Sequence, residues 1–185
     1  MRRVANGEAA QQPLTLRAAT VADVPALVTL VNSAYRGDSS RAGWTTEADL
    51  LGGQRIDAES LAKAVASPGT VVLMGECDGK PIACVQLERI GDDCYLGMLT
   101  IQPTLQGGGR GRQLLDAAER WAATRWGART AEMTVIVQRT ELIAWYERRG
   151  YVRTGEFRPF PYGDERFGLP QRDGLEFEVL RKTLR

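Results

Sequence analysis

Residues 106–112 read Gln-Gly-Gly-Gly-Arg-Gly-Arg and stand between two apolar stretches of different periodicity. The preceding stretch, residues 95–101, is strand-like and is ended by Pro103, whereas the following stretch, residues 113–126, has apolar side chains at helical spacing. Closely spaced glycines let the backbone approach a ligand, and the N–H groups then converge at a helix N-terminus, where an anion is favoured. The pattern therefore predicts a strand-to-helix turn that cradles a pyrophosphate.

The spacing of these glycines fits neither of the two common nucleotide loops. A P-loop needs Gly-Lys followed by Ser or Thr, and a dinucleotide fingerprint needs Gly-x-Gly-x-x-Gly with an acidic residue about twenty positions later. Gln106, Gly109 and Gly111 instead form Gln-x-x-Gly-x-Gly. A flexible linker or an Arg/Gly-rich nucleic-acid segment is the other interpretation of such a cluster, and the flanking strand and helix argue against it.

Composition narrows the class of protein. The 185 residues suffice for one domain with an ample core, and 24 basic against 23 acidic residues provide no overall field that would recruit nucleic acid or a membrane. No run of 18 apolar residues exists, and residues 1–12 lack the apolar centre of a signal peptide. We therefore expect a cytoplasmic protein with a disordered tail at residues 1–12 and a single domain at residues 13–185.

Histidine is absent from the chain, which restricts the chemistry. Cys77, Cys84 and Cys94 lack Cys-x-x-Cys spacing, so no metal site is expected. A Ser-His or Cys-His nucleophilic pair is impossible. Proton transfer must use Glu, Asp, Tyr, water or backbone groups.

Periodicity and turn residues predict an ordered series of elements. In chain order these are a strand near 14–18, a helix, a second helix near 58–66, strands at 70–77, 81–88 and 94–101, a helix at 113–126, a strand at 129–137, a helix at 140–149, and a closing pair of strands at 151–157 and 175–184. This order indicates an α+β fold with a mixed central sheet of about seven strands and about four flanking helices. Two long loops, residues 37–53 and 158–173, are candidates for function.

Two motifs resemble those of one known family. Residues 99–115, Leu-Thr-Ile-Gln-Pro-x-x-Gln-x-x-Gly-x-Gly-x-x-Leu-Leu, resemble the acetyl-CoA motif of the GNAT superfamily of acyl-CoA-dependent N-acyltransferases. Residues 141–151, Glu-Leu-Ile-Ala-Trp-Tyr-Glu-Arg-Arg-Gly-Tyr, look like its second signature, a helix that carries a tyrosine and ends at Gly-Phe/Tyr. The element order agrees over about residues 14–184, so the resemblance covers nearly the whole chain.

The resemblance implies acetyl-CoA as co-substrate and no metal. It implies that the fourth and fifth strands splay apart, which frees main-chain groups of the fourth strand to bind the pantetheine arm and polarise the thioester carbonyl. The cofactor-binding residues implied in this way are Leu99, Thr100, Ile101, Gln106, Gly107, Gly108, Gly109, Arg110, Gly111 and Arg112.

Tyr146 occupies the position of the family tyrosine that protonates the departing CoA thiolate. A phenol with a pKa of about 10 is protonated at neutral pH and is able to act as this acid. The other interpretation is that Tyr146 only packs beside Trp145.

The general base cannot be transferred from the family. Some relatives carry Glu or Asn at positions occupied here by Thr134 and Arg139. Glu132, two residues from Thr134 on the same strand face, is the first candidate base, and Glu88 is the second. Glu47 is a candidate for holding the ammonium group of the acceptor, although an exposed or salt-bridged role is the alternative for each carboxylate.

Aromatic residues are concentrated in the two long loops. Trp44, Phe160 and Tyr162, together with Phe167, are candidates for the wall of a substrate pocket. The alternative is that these rings anchor the loops or form a dimer contact.

The resemblance favours an N-acetyltransferase that moves acetyl from acetyl-CoA directly to an amine of a small molecule or peptide. No acyl-enzyme is expected, because no cysteine falls in either motif. A non-catalytic CoA-binding sensor or interaction domain is the alternative, and no nucleic acid or membrane partner is expected. A homodimer is the default expectation for assembly.

Overall fold

The computed structural model describes residues 14–184, so the tail predicted at residues 1–12 lies outside the described residues. One mixed sheet runs through this part of the chain. Its strands are β1 (Thr15–Ala18), β2 (Thr70–Cys77), β3 (Lys80–Ile90), β4 (Asp93–Ile101), β5 (Thr130–Ile136), β6 (Val152–Pro159) and β7 (Glu176–Thr183). Their order across the sheet is β1-β2-β3-β4-β5-β7-β6. The predicted seven-stranded α+β architecture is confirmed.

Helices cover both faces of this sheet. They are α1 (Val24–Tyr35), α2 (Gly37–Ser40), α3 (Ala58–Ala66), α4 (Arg110–Trp126) and α5 (Thr140–Glu147). The single turn α2 lies in the stretch that was predicted to be loop, which gives five helices in the described residues where about four were expected. The two long loops pair through a short ribbon of Leu51–Gly52 with Leu169–Pro170. No helix among residues 14–184 is long and apolar enough to span a bilayer.

The β2–β3 hairpin follows from two residues. Asp78 and Gly79 both have positive φ, 50° and 73°, which is the backbone of a tight two-residue hairpin turn. Cys77 consequently lies opposite Lys80, as the Asp-Gly pair predicts.

Strands β4 and β5 run parallel but pair only at their beginnings. Cys94 lies opposite Ala131 and Tyr95 opposite Glu132, and the register goes no further. A bulge in the β3–β4 pairing places Met98 of β4 at a φ of 55°. A gap therefore opens along the second half of β4 and leads to the glycine-rich turn, as the resemblance implies.

Packing fixes the β4 side of this gap. The apolar face of α4, including Leu114, Leu115 and Ala118, is buried in the same core cluster as Leu87 of β3 and Leu96 of β4. Helix α4 begins at Arg110, three residues before the predicted start at 113. Apolar periodicity did not reveal this first turn, because it carries arginines and not apolar residues. The helix N-terminus therefore stands at the end of β4.

Candidate active site

Two adjoining cavities lie along the β4–β5 gap. The first, about 210 Å³, is lined by β4, β5 and the long loops, and the second, about 70 Å³, by β4, the start of α4 and α5. The residues that line both are Tyr35, Leu99, Arg139, Leu142 and Tyr146. These residues mark the junction between a cavity that faces the glycine turn and a cavity that faces the long loops.

The glycine turn has the geometry of an anion cradle. Gly107 and Gly109 have φ values of 86° and 78°, and a Cβ added at either would meet nothing within 4 Å. Gly109 precedes α4, whose first helical bond runs from the Gln113 N–H to the Gly109 oxygen at 3.0 Å. The N–H groups at 110–112 therefore have no acceptor within the helix and point out of its positive end.

The side chains of the two arginines that follow these glycines, Arg110 and Arg112, point in different directions. The Arg110 guanidinium folds back to the Leu105 carbonyl at 3.5 Å, and its Nε is buried without a partner among the described residues. Arg112 is exposed, and its Nε lies 3.6 Å from an Asp116 carboxylate oxygen. Arg112 is therefore free to reorient toward an anion outside the turn.

Main-chain groups of β4 face the gap at alternate residues. The Leu99 carbonyl accepts a bond from the Tyr35 hydroxyl at 2.9 Å, and the Ile101 carbonyl accepts one from the Gln106 amide at 3.2 Å. In a strand the N–H and the C=O of one residue point to the same side, so these N–H groups face the gap too. Thr100 lies opposite Cys84 of β3 and lines the second cavity, and its role in binding the cofactor stays a prediction.

The loop at residues 41–47 closes one side of the second cavity. The Trp44 N–H donates to Gln106 Oε1 at 3.0 Å, and the Trp44 ring lies 6.3 Å from that of Trp145. A side chain at Gly43 would overlap Gln106. Gln106 is therefore a structural clamp between this loop and β4 in addition to lying in the motif.

Tyr146 is held at the junction of the cavities by aromatic contacts. Its side chain is 6% exposed and makes edge contacts with Trp145 and Tyr151, at centroid distances of 5.0 and 5.7 Å. The hydroxyl makes no hydrogen bond with any other residue in the described range, 14–184. Burial raises the pKa of Tyr146 above its ordinary value, so the phenol is protonated at neutral pH.

A buried ion cluster forms one wall of the first cavity. Glu47 accepts a bond from Arg139 Nη1 at 2.8 Å through Oε1 and another from Arg36 Nη1 through Oε2. Burial alone would raise the pKa of Glu47, but the charges of Arg139, Arg36 and Arg55 bring it below its ordinary value. Glu47 therefore lines the first cavity, but both of its oxygens already bind guanidinium groups.

The sequence of this chain matches the model of the acetyltransferase (GNAT) family over residues 28–151. The chain belongs to this family. No curated protein sequence matches it.

Solved structures of acetyltransferases share the fold of this GNAT chain. The ribosomal-protein-S18-alanine N-acetyltransferase from Escherichia coli is 18% identical with a TM-score of 0.69, over 93% of this chain and 94% of that one. The PaiA N-acetyltransferase from Thermoplasma acidophilum, in complex with coenzyme A, is 17% identical with a TM-score of 0.68, over 93% and 99%. The protein YncA from Salmonella typhimurium, with its cofactor acetyl-CoA, is 19% identical with a TM-score of 0.67, over 94% and 95%.

The two strand carboxylates predicted as bases of this GNAT protein lie outside both cavities. Glu132 accepts bonds from Arg158 at 2.7 Å and Arg181 at 2.6 Å. Partial burial acts to raise its pKa, but these two bonds lower it below the ordinary value, which makes Glu132 a weaker base. Glu88 is exposed on β3, opposite Thr70. Strand alternation did place Glu132 on the face of Thr134, but its carboxylate turns toward β6 and β7.

A hydroxyl pair includes Thr134, the position at which some relatives carry a carboxylate. The Tyr95 hydroxyl lies 2.7 Å from Thr134 Oγ1, and both residues line the first cavity. Neither group is a strong base, but such a pair can pass a proton along a hydrogen-bonded path.

Some of the loop aromatics line a cavity, and one of them anchors its loop. Phe160 and Phe167 line the first cavity and Trp44 lines the second. Tyr162 lies outside both cavities, where its hydroxyl donates to the Arg172 carbonyl at 3.2 Å and accepts from the Leu175 N–H at 2.8 Å. Tyr162 therefore anchors its loop, contrary to the prediction of a pocket role.

Sequence reasoning missed the basic residues of the first cavity. Tyr35 and Arg36 end α1, and Arg55 lies in the connection to α3, so no motif marked them. The available signal was weak: an aromatic-basic pair at the end of an amphipathic helix, next to a long loop. Arg139 was noticed only as a departure from the family pattern.

Replacement of Glu47 by Gln tests the buried cluster. Glu47→Gln leaves two buried guanidinium groups without their counter-charge, and we expect the free energy of unfolding to fall by about 3 kcal/mol, measured by urea unfolding at pH 7. Because the folded-state pKa of Glu47 is lowered, its stabilisation is present above pH of about 4.3 and is lost as the pH falls further. The variant should lack this part of the pH dependence.

Glu59→Gln is the matched control, since Glu59 forms an exposed ion pair with Lys63. We expect no measurable change in unfolding for it. Equal stability losses in the two variants would contradict the structural role of the buried cluster.

Proposed function

We propose that this protein is an N-acetyltransferase that moves an acetyl group from acetyl-CoA directly to an amine. The observation that carries the proposal is the continuous path from the glycine turn, along the free edge of β4, to the Tyr146 hydroxyl at the cavity junction. The family membership supports it, and so do two fold neighbours whose solved structures contain coenzyme A or acetyl-CoA.

The residues present fit acetyl-CoA along this path. The N–H groups at 110–112 and the open space at Gly107 and Gly109 suit a pyrophosphate. The N–H groups of Leu99 and Ile101 suit a pantetheine arm, since their carbonyls are already occupied by Tyr35 and Gln106. When bound, acetyl-CoA supplies an activated acyl group at the junction of the cavities.

Tyr146 is the proposed general acid. Its hydroxyl is protonated and free of other hydrogen bonds in the described range, and the residue lines both cavities. Direct transfer is favoured over an acyl-enzyme, because no cysteine lines either cavity. Burial also raises the pKa of the Cys84 and Cys94 thiols to about 12, which suppresses the nucleophilic thiolate.

The acceptor is proposed to lose its proton without a carboxylate base. Among residues 14–184, Glu47 is the only carboxylate that lines the first cavity, and its oxygens are both bound by arginines. Positive charges near an amine disfavour its protonated form and lower its pKa. Arg139 lines both cavities and supplies such a charge, and the Tyr95–Thr134 hydroxyl pair offers a path for the proton to water.

A non-catalytic CoA-binding sensor is the second candidate. The observation that favours it is the same shortage of carboxylates around Tyr146. Release of free thiol from acetyl-CoA in the presence of an amine separates the two functions, because a sensor binds the thioester without consuming it.

Acetyl-CoA should raise the melting temperature of the protein, because a ligand of the folded state stabilises it by about 2.7 kcal/mol at a hundredfold excess over its Kd. Gly109→Glu should abolish this shift in thermal-shift measurements by placing bulk and negative charge in the cradle. Gly91→Glu is the control, because Gly91 also has positive φ and open surroundings but lies in the β3–β4 turn. A full shift in Gly109→Glu would remove the cradle assignment.

Tyr146→Phe should keep acetyl-CoA affinity and lower kcat by about a hundredfold or more, since a positioned general acid contributes roughly 10²–10⁴-fold. Steady-state thiol release measures kcat, and thermal shift measures binding. Tyr151→Phe removes a hydroxyl that bonds to Glu119 outside the cavities, so it should leave kcat near the parent value. A loss of less than about threefold in Tyr146→Phe would make Tyr146 a packing residue.

The pH profile tests the absence of a carboxylate base. We expect kcat/KM to rise with pH toward the pKa of the acceptor amine, because only the neutral amine attacks. Glu132→Gln and Glu88→Gln should follow the parent profile in the same thiol-release assay. An acidic limb that shifts or disappears in Glu132→Gln would restore that carboxylate as the base.

A further inference from the structure

The first cavity has an excess of positive charge. Within the part of the chain that the structure describes, it is lined by Arg36, Arg55 and Arg139 and by a single carboxylate, that of Glu47. Arg36 and Arg139 share that carboxylate. The Arg55 guanidinium has no ion pair and no hydrogen bond to any residue in the described range, and its one specific contact is with the Tyr35 ring, at 5.4 Å from the centroid.

Hydrogen bonds to the Asn32 side chain fix the backbone at Arg55. The N–H groups of Arg55 and Ile56 donate to Asn32 Oδ1 at 2.6 and 3.2 Å, and Asn32 Nδ2 donates to the Ile56 carbonyl at 2.9 Å. Asn32 belongs to α1, one turn before Tyr35. An unpaired guanidinium is therefore held at the cavity by the same helix that supplies the aromatic ring beneath it.

Two further donors near this cavity lack acceptors. The Nε atoms of Arg36 and Arg139 are buried and have no hydrogen-bond partner among the described residues. Both atoms are closed off from the cavity, so they show that the positive charge of its wall is under-compensated and are not themselves contacts for a ligand. Guanidinium groups bind carboxylates and phosphonates through paired N–H donors.

Two of the three basic groups are offset from the reacting end, whereas Arg139 lies at the cavity junction. Arg36 and Arg55 line only the first cavity, whereas Tyr146 and Leu99 line both. Apolar rings, including Phe160, Phe167 and Phe177, line the same first cavity. Its volume of about 210 Å³ is below the roughly 300–1,000 Å³ of pockets for drug-sized ligands, which favours a small acceptor.

We propose that the acceptor is a small amine that also carries an acid group, a carboxylate or a phosphonate, bound by Arg55. Its amine then lies toward Tyr146 and its apolar part lies against the aromatic rings. This inference rests on the proposed N-acetyltransferase function and specifies its substrate class.

A panel with one carbon skeleton tests the inference. Phenylalanine, its phosphonate analogue, phenylalaninamide and phenethylamine are each assayed for thiol release with acetyl-CoA, and for thermal shift with CoA, which allows no turnover. The two acids should have the highest kcat/KM and the largest thermal shifts, by roughly tenfold or more over the amide in kcat/KM. The relative values for carboxylate and phosphonate identify the preferred acid group.

Variants at Arg55 assign the preference to that residue. Arg55→Gln should raise KM for the acids roughly ten- to a hundredfold, with kcat nearly unchanged and no effect on the amide, because the lost bond is charge-assisted. Arg55→Lys should recover part of the loss by keeping the charge. Arg120→Gln, an exposed position on α4, is the control and should match the parent.

Failure of this inference is distinguishable from failure of the proposed function. Thiol release that is equal for acids and amide, or found only with neutral amines, overturns the inference and leaves the acetyltransferase function standing. Thermal stabilisation by the acids without thiol release supports the acid site and contradicts the acetyltransferase function. If the acids neither bind nor react, or if Arg55→Gln affects acid and amide equally, the acid-binding role of Arg55 is wrong.

Discussion

The short parallel contact between β4 and β5 is the constraint on which the site depends. Main-chain groups along an unpaired strand edge need other partners, because a buried N–H or C=O without a hydrogen bond is costly. Tyr35 satisfies the Leu99 carbonyl and Gln106 satisfies the Ile101 carbonyl. The protein thus provides side-chain partners for the acceptors of this edge, while the matching donors face the gap where an acyl-CoA would lie.

The buried ion cluster then ties separate parts of the chain to this gap. Glu47 belongs to the first long loop, Arg36 to the end of α1, and Arg139 to the residue before α5. Arg139 also donates to Thr45 at 2.8 Å, which holds the loop against the start of α5. One carboxylate therefore orders the loop and, at the same time, commits two arginines to the cavity wall. This arrangement leaves Glu47 unable to act as a base.

Local patterns in the sequence were enough for the fold and for part of the site. Strand and helix periodicity, the Asp78-Gly79 turn and the glycine-rich turn all depend on residues close in sequence, and the structure agrees with them. The direction of the Glu132 carboxylate depends on arginines 26 and 49 residues away, which no periodicity reveals. The role of Arg55 likewise arises from Asn32 and Tyr35, which approach it only in the folded chain.

The charge balance of the first cavity also affects how readily a bound amine would lose its proton. Three guanidinium charges against one carboxylate leave an excess of two positive charges around the acceptor. In the proposed reaction, an amine with a carboxylate enters as a zwitterion of zero net charge, and acetylation removes the positive charge of its nitrogen. The bound molecule then becomes a net anion, which the excess positive charge of the wall stabilises. In the proposed reaction, an arginine-lined cavity would favour loss of the acceptor proton for the same reason that it would bind the acid group, so that one set of residues would serve both recognition and deprotonation.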